Sequence, residues 1–375
     1  MLEPLCQQAR FFLKKGLTPH LQYGTVYHVD ISHAGNGKKR DSLVDLARII
    51  AIFAIIISHC NIRTPFNGAS VELAWATVLI GFIENPVCFF FFFAGYFAKK
   101  TSSPIAWERP LQLLLSTCLW ALIGFVVFHF LNSWVHYIET GQALPWDSFS
   151  LYQVVGDFSS EMVPGHVDLW FMKVLVPIVL VSGLLVRLPA WMLVVVTAGC
   201  FGAAHVVDDA TLQALPYFLH EKFLLGMAYF SSGVLVRRYI TLQSLSGVMS
   251  KIGVGYFAVM FIQSAVSPYV HWNAFEIPVL GGFLEILYFL SMAQVVKRYV
   301  PCHERLARYG VAVFFVYVTQ EFFVMGAKVL FTAYPVSKHL YTLVPFAILL
   351  LCLLLYEVAQ RVLPSRIRKI VCLQS

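Results

Sequence analysis

Apolar runs of about 20 residues, the length that spans the hydrocarbon core of a bilayer, recur along nearly the whole of this chain. Few charges interrupt them: Asp, Glu, Lys and Arg make up 13% of the 375 residues, against roughly 25% in soluble domains. About half of the expected water-facing charge is therefore missing. An ordinary cytosolic globule is excluded, as are a disordered tail and a collagen-like chain. Eight cysteines in 375 residues are no disulfide framework, and their scattered positions read as small apolar fillers and free thiols. The pattern predicts an all-α, polytopic membrane helical bundle.

The net charge of +7 does not point to nucleic acid, because the basic residues sit between apolar runs rather than on one polar face. Ten spans fit the sequence: 43–60, 74–98, 111–131, 169–186, 191–207, 217–236, 252–270, 277–296, 311–331 and 340–359. Alternate connections then hold Lys38-Lys39-Arg40, Lys99, Lys100 and Arg109, Arg187, Arg237-Arg238, and Lys297-Arg298 with Arg305 and Arg308, followed by a basic tail. The other connections hold only Arg63 and Lys338. Cytoplasmic loops are enriched in Lys and Arg, so both termini are expected in the cytoplasm. Residues 1–37 carry too short an apolar core for a cleavable signal and read as a cytoplasmic extension. Residues 38–364 form the membrane domain, and 365–375 a cytoplasmic tail. The longest outer connection, 132–168, is acidic and carries Trp134, Tyr137, Trp146 and Tyr152, which serve as interfacial anchors or as stacking surfaces for a sugar-like ligand.

An ionisable group near the bilayer centre costs about 2.5 to 3.5 kcal/mol on insertion scales, yet Glu84, Glu285 and Glu321 all fall within spans. The first span is the most informative. Arg48 and His59 are eleven residues apart, which leaves them about 20° apart on the helix and roughly 16 Å apart along its axis. Ala47, Ala51, Ala54 and Ser58 form a small-residue stripe beside them, so another helix can approach closely. This helix is expected to be central, with its Arg/His face toward a cavity. A guanidinium at the inner mouth suits a phosphorylated cytosolic ligand, and an imidazole farther through suits general-base work on a hydroxyl. The alternative is that Arg48 marks topology and His59 is a hydrogen-bonded packing group.

Arg48 and His59, the FFFFFAGYF run at 89–97, the DLWF at 168–171, the YGVAVFFVYVTQ at 309–320 and the Tyr356-Glu357 pair, taken in order, resemble the bacterial acyltransferase-3 family of integral membrane O-acyltransferases. The resemblance covers about 38–364. It implies a ten-helix bundle in the bacterial inner membrane that moves an acyl group, acetyl or succinyl, from cytosolic acyl-CoA to a hydroxyl of a surface or periplasmic polysaccharide or its lipid-linked precursor. Carried over, His59 is the catalytic base or acyl acceptor and Arg48 binds the donor, helped by Lys99, Lys100 and Arg109. Gly95 and Tyr96 close the second span in a tight turn. Glu84 or Glu321 orients the imidazole, and His166, Asp168, Trp170, Tyr96 and Gln320 are expected around the acceptor. The chain departs from the family's pattern at Ala94 in place of a serine, and at Asp168 and Gln320 in place of histidines.

No metal is expected: His205 with Asp208 and Asp209, or His166 with Asp168, lacks a completing ligand. Partners follow from the reading: membrane lipids, acyl-CoA, the glycan acceptor and polysaccharide-assembly proteins. The competing class is a secondary transporter whose buried Glu, His and Lys form a proton or substrate path. The sequence has no inverted repeat to support it.

Overall fold

Each of the ten expected spans overlaps a helix. The structure is a computed structural model that describes residues 41–60, 62–66, 69–71, 86–99, 107–142, 169–206, 221–266, 278–333 and 338–373; the extension 1–37 lies outside them. The main helices are α1 (Ser42–Cys60), α2 (Val87–Tyr96), α3 (Glu108–Thr140), α4 (Trp170–Leu185), α5 (Ala190–Val206), α6 (Glu221–Tyr239), α7 (Leu242–Val266) and α8 (Pro278–Tyr299). A short α9 (His303–Arg308) and a 3-10 turn, Tyr309–Val311, lead into α10 (Val313–Ala333), a brief α11 (Lys338–Tyr341), α12 (Val344–Val362) and α13 (Ser365–Val371). Among the described residues the one departure from helix is an antiparallel hairpin, β1 (Ile62–Phe66) with β2 (Ala69–Val71), directly after α1. Among the described residues five helices are long and apolar enough to cross a membrane: α1, α10, α12 and the stretches Glu108–Val127 of α3 and Leu242–Ile262 of α7.

Several boundaries differ from expectation for local reasons. Helix α3 runs nine residues past Leu131, so Trp134 and Tyr137 stand on a helix and not in a loop. Nothing between Leu131 and Thr140 breaks it, and it ends where Gly141 turns left-handed and donates its N–H to the Tyr137 carbonyl. Helix α7 begins ten residues before 252 because the Thr241 hydroxyl accepts the Ser244 N–H at 3.1 Å, an N-cap that apolar counting overlooks. The last span is broken into α11 and α12, with Pro345 in the first turn of α12. Gly95 lies inside α2 rather than in a turn.

Side-chain pairs give the helix directions. α1 and α10 run parallel, since Asp45 meets Gly310 and His59 meets Glu321. α12 runs against α10, pairing Phe315 with Tyr356. α6 runs with α4, through Lys222 on Trp170 and Arg238 on the Val186 carbonyl, and against α5, through Thr197 with Ser231 and Phe201 with Tyr229. α7 runs against α8, with Gly253 against Ser291 and Gln294 and Tyr256 donating to the Leu284 carbonyl. This alternation is what a chain threading back and forth through a membrane requires.

α1 is the centre of the bundle. Asp41 caps it by accepting the Leu43 N–H at 2.8 Å, and Ala47, Ala51, Ile52, Ile55, Ile56 and Ile57 are at most 2% exposed. α2 is held by its crossing with α6. A Cβ on Gly95 would run into the Phe230 carbonyl oxygen, and one on Gly233 into that of Phe92. Two glycines thus let two backbones touch, as small residues do between membrane helices. At that end Arg237 donates to the Ala98 carbonyl and Arg238 to the Val186 and Leu188 carbonyls. These cations cap the C-terminal ends of α2 and α4, which the helix dipole favours. We call this the basic end.

Gly95→Ala forces α2 and α6 apart, and overpacking of this kind costs about 1–3 kcal/mol; a thermal melt of purified protein should show the loss. A second outcome concerns α13, which folds back so that Trp120 donates to the Val371 carbonyl at 3.2 Å and Gln112 to that of Lys369 at 2.7 Å. Cys372 is 1% exposed, and burial pushes its thiol up to about 11. Thiolate is the reactive form, so at pH 7.5 a polar maleimide should label exposed Cys302 well before Cys372, and Trp120→Ala should erase the difference.

Candidate active site

Running in register with α1, α10 places a carboxylate against the far end of the first helix. His59 Nδ1 lies 3.0 Å from Glu321 Oε2. A carboxylate only accepts hydrogen bonds, so the proton of a neutral imidazole sits on Nδ1 and Nε2 keeps its lone pair. Glu321 is 8% exposed, whereas the His59 side chain is 29% exposed. The orienting acid is buried and the ring it orients reaches the surface of the packed helices. That is the arrangement of a general base held by a third group.

The surroundings fix the end of α1. Tyr341 donates its hydroxyl to the Cys60 carbonyl at 3.0 Å and packs edge-on against Phe331 at 4.8 Å, which ties α11 to both α1 and α10. Lys328 and Glu321 both lie within electrostatic reach of Cys60. They are seven residues apart on α10, two turns along one face, so a cation shares the face of α10 that carries the acid. Their seven-residue spacing is the sequence signal that sets Lys328 and Glu321 on one face.

At the basic end, Arg48 Nη1 bonds Asp45 Oδ1 at 3.2 Å, and its guanidinium lies over the Phe97 ring, 5.3 Å from the centroid. Lys99, two residues beyond Phe97, is exposed, as are Arg109 in the first turn of α3 and Arg305 and Arg308 of α9. Gly310 abuts Asp45, so Arg308 is only two residues from the Arg48 partner. The sequence reading put Arg305 and Arg308 in an inner connection without linking them to Arg48. Only the packing of the Tyr309–Val311 turn on α1 joins them.

The remaining candidates scatter. Tyr96 is 3% exposed and its hydroxyl donates to the Ile240 carbonyl at 2.9 Å, tying α2 to the end of α6. Gln320 is fully buried, turned about 100° from Glu321 on α10. Trp170 is half-buried at the start of α4 with the Lys222 ammonium 5.3 Å over its ring. Glu84, Lys100, His166 and Asp168 lie outside the described residues. The structure brings His59 and Glu321 together and leaves Arg48 at the other end of the helix.

Between Arg48 and His59 the face of α1 is closed: Ala51, Ile52 and Ile55 are at most 2% exposed. The expected cavity along that face is not seen among the described residues. A cavity of about 460 Å³ lies instead between α5, α6 and α8, lined by Thr197, Phe201, Gly202, His205, Leu235 and Phe283 among others. It is apolar and away from the His59–Glu321 pair.

The chain matches the family model described as an acyltransferase domain, Acyl_transf_3, over residues 42–357. No curated protein and no solved structure matches it. The matched stretch opens at the first residue of α1 and closes just before the end of α12, and so takes in both the His59–Glu321 pair and the Arg48 end of the bundle. This membrane protein belongs to the acyltransferase-3 family and is an acyltransferase of groups other than aminoacyl.

Proposed function

We propose that the chain is a ten-span O-acyltransferase of the bacterial inner membrane, with both termini and the basic end in the cytoplasm. It transfers an acyl group, acetyl in the first instance and succinyl as the other donor of the same chemistry, from acyl-CoA to a hydroxyl of a surface or periplasmic polysaccharide or its lipid-linked precursor. The observation that carries this reading is the 3.0 Å contact between His59 and Glu321. A buried acid orienting a half-exposed imidazole is the equipment for taking a proton from a hydroxyl.

In the mechanism, the donor phosphates sit at the basic end against Arg48, with Lys99, Lys100, Arg109, Arg305 and Arg308 supplying further positive charge. His59 Nε2 takes the proton of the acceptor hydroxyl as its oxygen attacks the thioester carbonyl. The C–O ester bond forms, the C–S bond breaks, and the imidazolium returns the proton to the departing coenzyme A sulfur. Glu321 holds the ring and stabilises the imidazolium while it is charged. Lys328 adds positive charge near the carbonyl oxygen, where negative charge develops. Trp170 supplies an aromatic surface for the acceptor, while Tyr96 and Gln320 act through packing. Because the face between Arg48 and His59 is closed, the acyl arm enters only when the helices around α1 part.

His59→Ala should abolish acylation, read as loss of the acyl mass increment on surface and periplasmic glycans, while the protein still inserts. Wild-type acylation in that variant would remove the histidine from the mechanism. Glu321→Gln should cost on the order of 10²-fold or more in turnover with little change in donor affinity. Acetyl-CoA should raise the melting temperature of the purified protein, which a transporter reading does not predict.

A further inference from the structure

We propose that Asp45 is a positioning residue for the donor site: it fixes the guanidinium of Arg48 at the mouth of the bundle, and Gly310 in turn fixes Asp45. The inference rests on the reading that Arg48 receives the donor. Asp45 lies in the first turn of α1, where the helix dipole favours an anion, and is only 6% exposed. A carboxylate so buried near the start of a membrane helix is costly unless paired, and the charged group three residues along the same face is Arg48. Its bond to Arg48 engages Nη1 at 3.2 Å, while the Phe97 ring supports the guanidinium at 5.3 Å. The carboxylate and the ring together define the plane of the fork, and the plane determines whether phosphate is met by two nitrogens or one.

Gly310 makes this arrangement depend on a second element. A Cβ there would lie 2.7 Å from Asp45 Cβ and 2.9 Å from Asp45 Oδ1, closer than atoms can pack, so any side chain at 310 displaces the carboxylate. The turn Tyr309–Val311 is thus a backplate pressed on Asp45, and it joins α9, which bears Arg305 and Arg308, to α10, which bears Glu321. The donor head and the carboxylate that holds His59 are consequently referenced to one continuous segment.

The test is equilibrium binding of acetyl-CoA to full-length protein in detergent, with melting temperatures measured in parallel. Asp45→Asn keeps the size of the side chain and removes its charge; Gly310→Ala keeps the charge and moves it. Each should weaken acetyl-CoA binding about tenfold, within the range of coupling seen between contacting groups, and neither should weaken it further in an Arg48→Ala background. Wild-type affinity in both variants, or an equal loss with and without Arg48, would overturn the proposal, the latter because a purely structural role acts regardless of the arginine. Should Asp45→Asn fail to accumulate, Gly310→Ala decides alone. Full acetyl-CoA affinity in Arg48→Ala itself, or no binding by the wild type, would instead overturn the donor-site reading beneath it.

Discussion

A carboxylate inside an apolar bundle survives as an anion only with a donor against it, and Glu321 has His59 at 3.0 Å. That one contact ties the chemistry of the protein to its topology. It joins α1 to α10, which run in the same direction, with Asp45 against Gly310 at one end and His59 against Glu321 toward the other. α1 is central because its alanine stripe at 47, 51 and 54 is buried and lets the flanking helices come close.

The same reasoning extends to the basic residues. Their excess in alternate connections follows from membrane topology, yet the structure gives several of them second duties. Arg237 and Arg238 close the C-terminal carbonyls of α2 and α4, and Tyr96 reaches the Ile240 carbonyl in the same layer. Backbone acceptors at helix ends need partners, and Arg237 and Arg238, in the last turn of α6, supply them. Arg48 differs in that its bond goes to a side chain on its own helix, Asp45, and its ring partner, Phe97, lies just past the end of α2.

Legibility in the sequence follows the range of the interactions. Hydropathy and helical periodicity are local, and each expected span overlaps a described helix, with Arg48 and His59 both on α1. Helix ends were missed where a cap decided them: Thr241 starts α7 within a polar stretch, and Gly141 stops α3 only after nine residues that hydropathy assigns to a loop. The choice of Glu321 as partner for His59 was one of two open alternatives, because residues separated by 262 positions meet only through packing. The family resemblance implies a turn at Gly95, whereas the residue lies inside α2 and bares that helix's backbone to Phe230. Lys328, Asp45 and Gly310 carry no sequence signal except spacing, since their partners lie on other elements or gain meaning only from burial.

The separation of the two polar ends of α1 is itself a constraint on the donor. Arg48 and His59 stand about 16 Å apart along the helix axis, and both ends are pinned. Asp45 is wedged against Gly310 at one, and the Cys60 carbonyl accepts from Tyr341 at the other. α1 is thus held at both ends, and Ala51, Ile52 and Ile55 between them are buried. A ligand that satisfies both ends must carry its anionic head and its reactive carbonyl at opposite ends of a long, narrow arm. On the roles proposed for Arg48 and His59, a compact acyl phosphate would leave one of the two sites empty, whereas an acyl thioester on an extended phosphorylated carrier fills both, and that shape supports acyl-CoA as the proposed donor.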